Sequence, residues 1–143
     1  METLMSLDFS PSRIMQPASP DGMPNNVLIV EDDPIIALGL EDTIFGFGVA
    51  TVRTAASVAR ALEMIAEREP DFALLDVGLV REKSFAIAER LEALKIPFVF
   101  VTGYGAADTF PARFANKPKL NKPCSTEALE QVLRRRSDSA AED

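Results

Sequence analysis

"VLIVEDDP", residues 27–34, runs four apolar residues straight into three carboxylates and a proline. Four apolar residues without polar alternation suit a strand covered on both faces, as in a parallel sheet. Pro34 suits the first turn of a helix. The stretch therefore reads as strand, loop and helix start, with Glu31, Asp32 and Asp33 at the strand's carboxyl end. Like charges gathered at one point repel, and burial makes that worse. Either something positive sits there or the chain turns into open water.

The same alternation continues outward. Ile36, Leu40, Ile44 and Phe47 follow at near-helical spacing, and Gly46 and Gly48 end that helix. "VATV" (49–52) reads as a second strand, and Thr54 as the N-cap of a helix carrying Val58, Ala61, Leu62 and Ile65 on one face. Pro70 closes it. "FALL" (72–75) is a third strand running into Asp76. A helix from Ser84 to Leu94 presents Phe85, Ala88 and Leu91. "FVFV" (98–101) is a fourth strand running into Thr102. Gly103, Gly105 and Pro111 leave a short or irregular fourth helix. Residues 117–121 suit a fifth, edge strand, where Pro118 and Lys119 blunt outside pairing. Ser125 caps a last helix with Leu129, Val132 and Leu133 inward. Five βα units in about 110 residues imply a parallel sheet with helices on both faces. The expected division is a tail over 1–25, one domain over 26–136 and a short tail over 137–143. The N-terminal stretch holds four prolines with no sustained period, though Leu4, Met5, Leu7 and Phe9 could cover an apolar patch.

The totals exclude several function classes. The chain has 143 residues, 47% of them hydrophobic, and a formal net charge of −7. Such a surface repels nucleic acid and anionic membrane, so neither is an expected partner. Arg134–Arg136 is the one notable basic run, and it suits a helix C-terminus. The single cysteine, Cys124, cannot form an internal disulfide and reads as a half-buried small residue. The absence of histidine removes His-based triads, bases and metal ligands. No apolar run approaches the ~18 residues of a membrane span. "METLMSLDFSPSRIMQ" (1–16) carries acids and lacks a continuous apolar region, so no secretion signal is read and the cytoplasm is the expected location.

In a parallel sheet of this kind the ligand site lies beyond the carboxyl ends of the strands. The first strand delivers Glu31, Asp32 and Asp33 there. The third delivers Asp76, the fourth Thr102, and the fifth Lys122 followed by Pro123. Clustered carboxylates without His or Cys suit a hard cation, Mg²⁺ or Mn²⁺. A remaining carboxylate can attack phosphorus, and the three equatorial oxygens can be met by metal, a hydroxyl and an ammonium. Asp33 reads as a solvated neighbour or a helix-start charge.

These residues, in this order, resemble the receiver domain of two-component response regulators, over residues 26–136. The resemblance implies a flavodoxin-like (βα)5 doubly wound sheet with strand order 2-1-3-4-5. By position, Glu31 and Asp32 resemble the metal-binding pair, and Asp76 in "LLDVGL" (74–79) the phosphoacceptor. The backbone carbonyl of Gly78 would be a further metal ligand. Thr102 resembles the switch hydroxyl and Lys122 the phosphate-binding lysine. The family's Lys-Pro bond is usually cis, which would aim Lys122 inward. "PFVFVTGYG" (97–105) resembles the P-F-x-F-A-T-G-Y-G signature of stand-alone receivers called FAT GUY regulators, with Val101 for the usual Ala. That subgroup is associated with bacterial stress-response phosphorelays and with kinases of the HWE/HisKA2 type.

The sequence departs from the common pattern at two places. The position three before the lysine is usually an aromatic switch residue; here it is Lys119. Tyr104, two beyond Thr102, is the natural substitute switch and the chain's single tyrosine. Many receivers carry a proline four residues after the phosphoacceptor, where this chain has Val80. Gly78 offers no side chain to cover an acyl phosphate.

The resemblance implies a signalling phosphoacceptor rather than an enzyme. A histidine kinase or histidine phosphotransfer protein would donate to Asp76. The surface of the fourth helix, fifth strand and fifth helix would report to an unknown downstream protein, since no output domain is evident. One alternative is a degenerate receiver that binds partners without phosphorylation. Another is a phosphatase of the haloacid dehalogenase type, which also uses Asp, Thr, Lys and Mg²⁺. That family places its nucleophile on the first strand in a D-x-D motif. Here Asp76 lies on the third strand, followed by Val77-Gly78, and the acidic pair comes first.

Overall fold

The structure, a computed structural model, describes residues 22–78, 84–103 and 110–142, with side chains through Arg134. Its strands are β1 (Asn26–Val30), β2 (Thr51–Ala55), β3 (Phe72–Asp76), β4 (Phe98–Thr102) and β5 (Lys119–Asn121). Its α-helices are α1 (Pro34–Gly46), α2 (Val58–Glu67), α3 (Phe85–Ala93) and α4 (Thr126–Glu142). All strand pairs are parallel, in the order β2-β1-β3-β4-β5. This is the expected doubly wound sheet.

The alternation of side chains along each strand divides the core in two. Leu28, Val30, Ala73, Leu75, Phe98 and Phe100 face α2 and α3. Val27, Ile29, Leu74, Val99 and Val101 face Ile44 of α1 and Leu129 and Leu133 of α4. Every residue of β1, β3 and β4 is buried, which explains why they read as unbroken apolar runs ending in polar residues. The edge strands differ: β2 is half-buried along most of its length, and β5 buries only Leu120.

Four local expectations shift. β2 begins at Thr51 rather than Val49, and Thr54 lies inside it, donating its hydroxyl to Glu41. Ser57 caps α2 instead, accepting from Arg60 N at 3.1 Å. The chain enters the core earlier than the expected tail boundary at residue 25. Met23 is fully buried in the α1/α4 cluster, and Asp71 Oδ2 accepts from Asn25 N and Asn26 N. At the other end α4 continues to Glu142, past the expected boundary at residue 136.

Between β4 and β5 the described chain forms only a 3-10 turn, Ala112–Phe114. Five phenylalanines fasten it to the sheet. Phe114 is fully buried and stacks on Phe85, with Phe98, Phe100 and Phe110 around them. Lys119 completes the fastening. Its Nζ donates to the carbonyls of Ala115 (2.7 Å) and Lys117 (2.8 Å) and lies 4.6 Å from the Phe110 ring centroid. The residue expected to blunt a sheet edge thus closes the crossover to β5.

Candidate functional site

Hydrogen bonds that continue the sheet beyond its strands hold the site. Glu31 N donates to Ala55 O, Val77 N to Val101 O, and Lys122 N to Thr102 O at 2.8 Å. These ties place the residues after β1, β3 and β5 on one rim. Asp33 then leaves the cluster. It is the N-cap of α1, its Oδ1 accepting from Ile35 N (2.9 Å) and Ile36 N (3.3 Å). Of the two roles open to it in the sequence, the structure selects the helix start.

Ligand oxygens of Glu31, Asp32 and Asp76 all lie within 4.8 Å of one another. Glu31 and Asp76 are buried. Lys122 Nζ sits between these two, 3.1 Å from Glu31 Oε1 and 3.1 Å from Asp76 Oδ2. The other Asp76 oxygen, Oδ1, accepts from Gly78 N at 3.0 Å. The Lys122–Pro123 peptide bond is cis, as the resemblance implied.

The electrostatics follow from this packing. Burial pushes the Glu31 carboxyl above its ordinary value, and the neighbouring Asp76 charge adds to that. The hydrogen bond from Asp33 N and the Lys122 ammonium oppose it. Burial pulls Lys122 down, but its contacts with Asp76 and Glu31 prevail and its net shift is upward. Burial also raises the Cys124 thiol.

The donor set fits a hard divalent cation. Glu31 Oε1 is buried and accepts no hydrogen bond, although Lys122 Nζ is within charge-pairing distance. That ammonium is shared with Asp76, so the buried carboxylate oxygens keep capacity for a second positive partner. Glu31, Asp32 and Asp76 bring carboxylate oxygens together, and oxygen donors alone suit Mg²⁺ or Mn²⁺.

Thr102 closes the rim at the end of β4 and is buried. Its hydroxyl is directed at β5, 3.2 Å from Asn121 Oδ1 and 3.4 Å from Leu120 O. Asn121 is a site neighbour that strand-end reasoning overlooks. The signal for it is the register, which sets Asn121 directly opposite Thr102. Tyr104 and Val80 lie outside the described residues, as does Gly105, so "PFVFVTGYG" is described through Gly103.

With this geometry in view, comparison with known proteins is decisive. The profile of the response regulator receiver domain matches residues 27–134. The chain belongs to that family. The receiver is 34% identical over 115 residues to the sensory transduction protein LytT of Enterococcus faecalis, covering 78% of this chain and 48% of LytT. It is 31% identical over 85 residues to the phyllosphere-induced regulator PhyR of Methylorubrum extorquens, covering 57% of this chain and 32% of PhyR. The receiver therefore spans half or less of the curated relatives it matches. Among solved structures, SdrG from Sphingomonas melonis is similar along nearly its whole length. It shows a TM-score of 0.69 and 38% identity, covering 83% of this chain and 97% of SdrG. Among the described residues, no helix is long and apolar enough to cross a membrane.

Proposed function

We propose that this receiver accepts a phosphoryl group from a phosphohistidine donor onto Asp76, with Mg²⁺ or Mn²⁺, and passes the signal to another protein. The observation that carries the proposal is the shared position of Asp76. It belongs at once to a three-carboxylate cluster within 4.8 Å and to an ion pair with Lys122. A structural ion pair needs only one carboxylate; a phosphoacceptor site needs both features.

The chain's own groups divide the chemistry. A carboxylate oxygen of Asp76 attacks phosphorus, the donor's P–N bond breaks, and the imidazole leaves with a proton from solvent. Lys122 stands where it can follow a phosphoryl oxygen as charge moves off the Asp76 carboxylate. Thr102 supplies a hydroxyl donor once it turns from β5. Glu31, Asp32, Asp76 and the Gly78 carbonyl would hold a divalent cation, which would supply charge neutralisation for the phosphoryl group.

The donor is a histidine kinase, with the FAT GUY resemblance favouring the HWE/HisKA2 type, or a histidine phosphotransfer protein. Its landing surface lies beside the acid cluster. α1 starts there and exposes Ile35 (81%), Leu38 (57%) and Phe45 (48%). Apolar side chains exposed this far along one helix favour a protein partner over a small substrate. The similarity to the PhyR stress response regulator, 26% identical in its solved structure, supports a stress-response role, and we assign the receiver to the cytoplasm. Tyr104 is the proposed substitute for the missing switch aromatic.

The test is to incubate the wild type and Asp76→Asn with Mg²⁺ and a phosphorylated histidine kinase or small acyl phosphate. Stoichiometric label on the wild type alone is expected. Label on neither protein would point to a binding module without phosphorylation. Multiple turnover of phosphate esters would point to a phosphatase.

A further inference from the structure

The Thr102 hydroxyl carries one proton and can donate one strong hydrogen bond. In this structure both of its acceptors are on β5: Asn121 Oδ1 at 3.2 Å and Leu120 O at 3.4 Å. Neither is a group of the acid cluster. To donate to a phosphoryl oxygen on Asp76, the hydroxyl must first give up β5. Thr102 is buried, so water offers little compensation on the way.

We infer that Asn121 is a positioning residue that latches Thr102 in the unphosphorylated orientation and thereby sets the bias between the two states of the receiver. This rests on the proposed phosphoacceptor role of Asp76. Two further observations support the latch. Asn121 directly precedes Lys122, whose N–H donates to Thr102 O at 2.8 Å. The strand pair thus holds Asn121 and Thr102 opposite each other while the Thr102 side chain remains the part that can rotate. Secondly, Lys119, at the position of the usual switch aromatic, is committed to the carbonyls of Ala115 and Lys117 and to the Phe110 ring. A swinging ring at that position is not available to couple Thr102 to β5, and the Thr102–Asn121 contact is a direct coupling in its place.

The sign of the effect is specific. An ordinary positioning residue weakens the site when removed. Asn121 competes with the phosphoryl group for a single proton, so its removal strengthens the phosphorylated-like state. Losing one partly exposed neutral hydrogen bond shifts such an equilibrium by about 3- to 10-fold. The Leu120 carbonyl remains as a weaker competitor at 3.4 Å.

The experiment is a double-mutant cycle read by ¹⁹F NMR titration of fluoroberyllate, a phosphoryl mimic, in the presence of Mg²⁺. Asn121→Ala should tighten fluoroberyllate binding about 3- to 10-fold. In a Thr102→Val background, which keeps the shape and removes the proton, Asn121→Ala should change nothing. Unchanged or weaker binding by Asn121→Ala overturns the latch. Equal tightening in both backgrounds also overturns it, since the effect would then not pass through the hydroxyl. A wild type that binds no fluoroberyllate with Mg²⁺ overturns the phosphoacceptor role itself.

Discussion

Among the described residues, Lys122 is the one cation placed between Glu31 and Asp76, and Lys122→Met removes it. Its Nζ is 3.1 Å from an oxygen of each, and both carboxylates are nearly inaccessible, at 2% and 4% side-chain exposure. Without it the two carboxylates face each other within 4.8 Å. At an effective dielectric of about 20, unit charges at that distance repel by roughly 3.5 kcal/mol. Breaking a fully buried pair costs about 3–5 kcal/mol. The Lys122 side chain is a quarter exposed, so water enters where it stood and lowers the figure. We expect a net loss of about 2–3 kcal/mol in metal-free buffer at pH 7. The loss is conditional. Glu31 already has a folded-state pKa above its unfolded value, and Lys122 is one of the groups holding it down. The folded variant therefore takes up a proton more readily than the unfolded chain. Its deficit is full at neutral pH and shrinks as pH falls towards the folded pKa of Glu31. Mg²⁺ supplies the missing positive charge and shrinks the deficit too. Urea unfolding followed by circular dichroism, at pH 7 and pH 5.5, with and without Mg²⁺, reads all four conditions. A deficit below about 0.5 kcal/mol, the level of ordinary surface substitutions, would refute the reasoning. So would a deficit indifferent to both pH and Mg²⁺.

The other expectations concern single positions. Asp32→Ala should abolish the rise in melting temperature on adding Mg²⁺, whereas Asp33→Ala should keep it and lose only the α1 cap, about 1 kcal/mol by denaturant titration; the reverse ranking would displace the metal pair by one residue. Phe114→Ala should destabilise by about 3–5 kcal/mol, because its fully buried ring packs on Phe85, Phe98 and Phe100; a loss under about 1 kcal/mol would show the crossover is not fastened by that ring. Cys124 should react with iodoacetamide at pH 8 several-fold more slowly than free cysteine, since burial keeps the thiol protonated. Lys122→Met should slow it further, because the Lys122 charge is what lowers that thiol; faster alkylation in the folded wild type than in the unfolded chain would contradict the assignment.

What the sequence revealed, and what it concealed, follows from where each residue sits. β1, β3 and β4 were legible because burial on both faces leaves only apolar residues until the strand ends. Glu31, Asp76 and Thr102 stood out as the first polar residues after those runs. β2 was harder. It is an edge strand, half-buried, and Thr51, Arg53 and Thr54 interrupt its apolar pattern. Thr54 and Ser57 are both competent caps, and only the length of β2 and the position of Glu41 decide between them. Met23 reaches the core from a proline-rich stretch whose sequence has no period to reveal it. Lys119 and Asn121 depend on tertiary geometry, the first on the turn it closes and the second on the register opposite Thr102. Strand-end logic finds the chemistry of a parallel sheet. It does not find the side chains that hold that chemistry in one of two states.

Metal-dependent phosphorylation of Asp76 would leave an acyl phosphate, which borohydride reduces. The most direct measurement is borohydride reduction of protein treated with a small acyl phosphate and Mg²⁺, followed by peptide mass mapping. One reduced residue is expected, Asp76, and its reduction is lost when EDTA replaces Mg²⁺. Modification at Asp32 or Glu31 instead, or equal modification of Asp76 in EDTA, would contradict it.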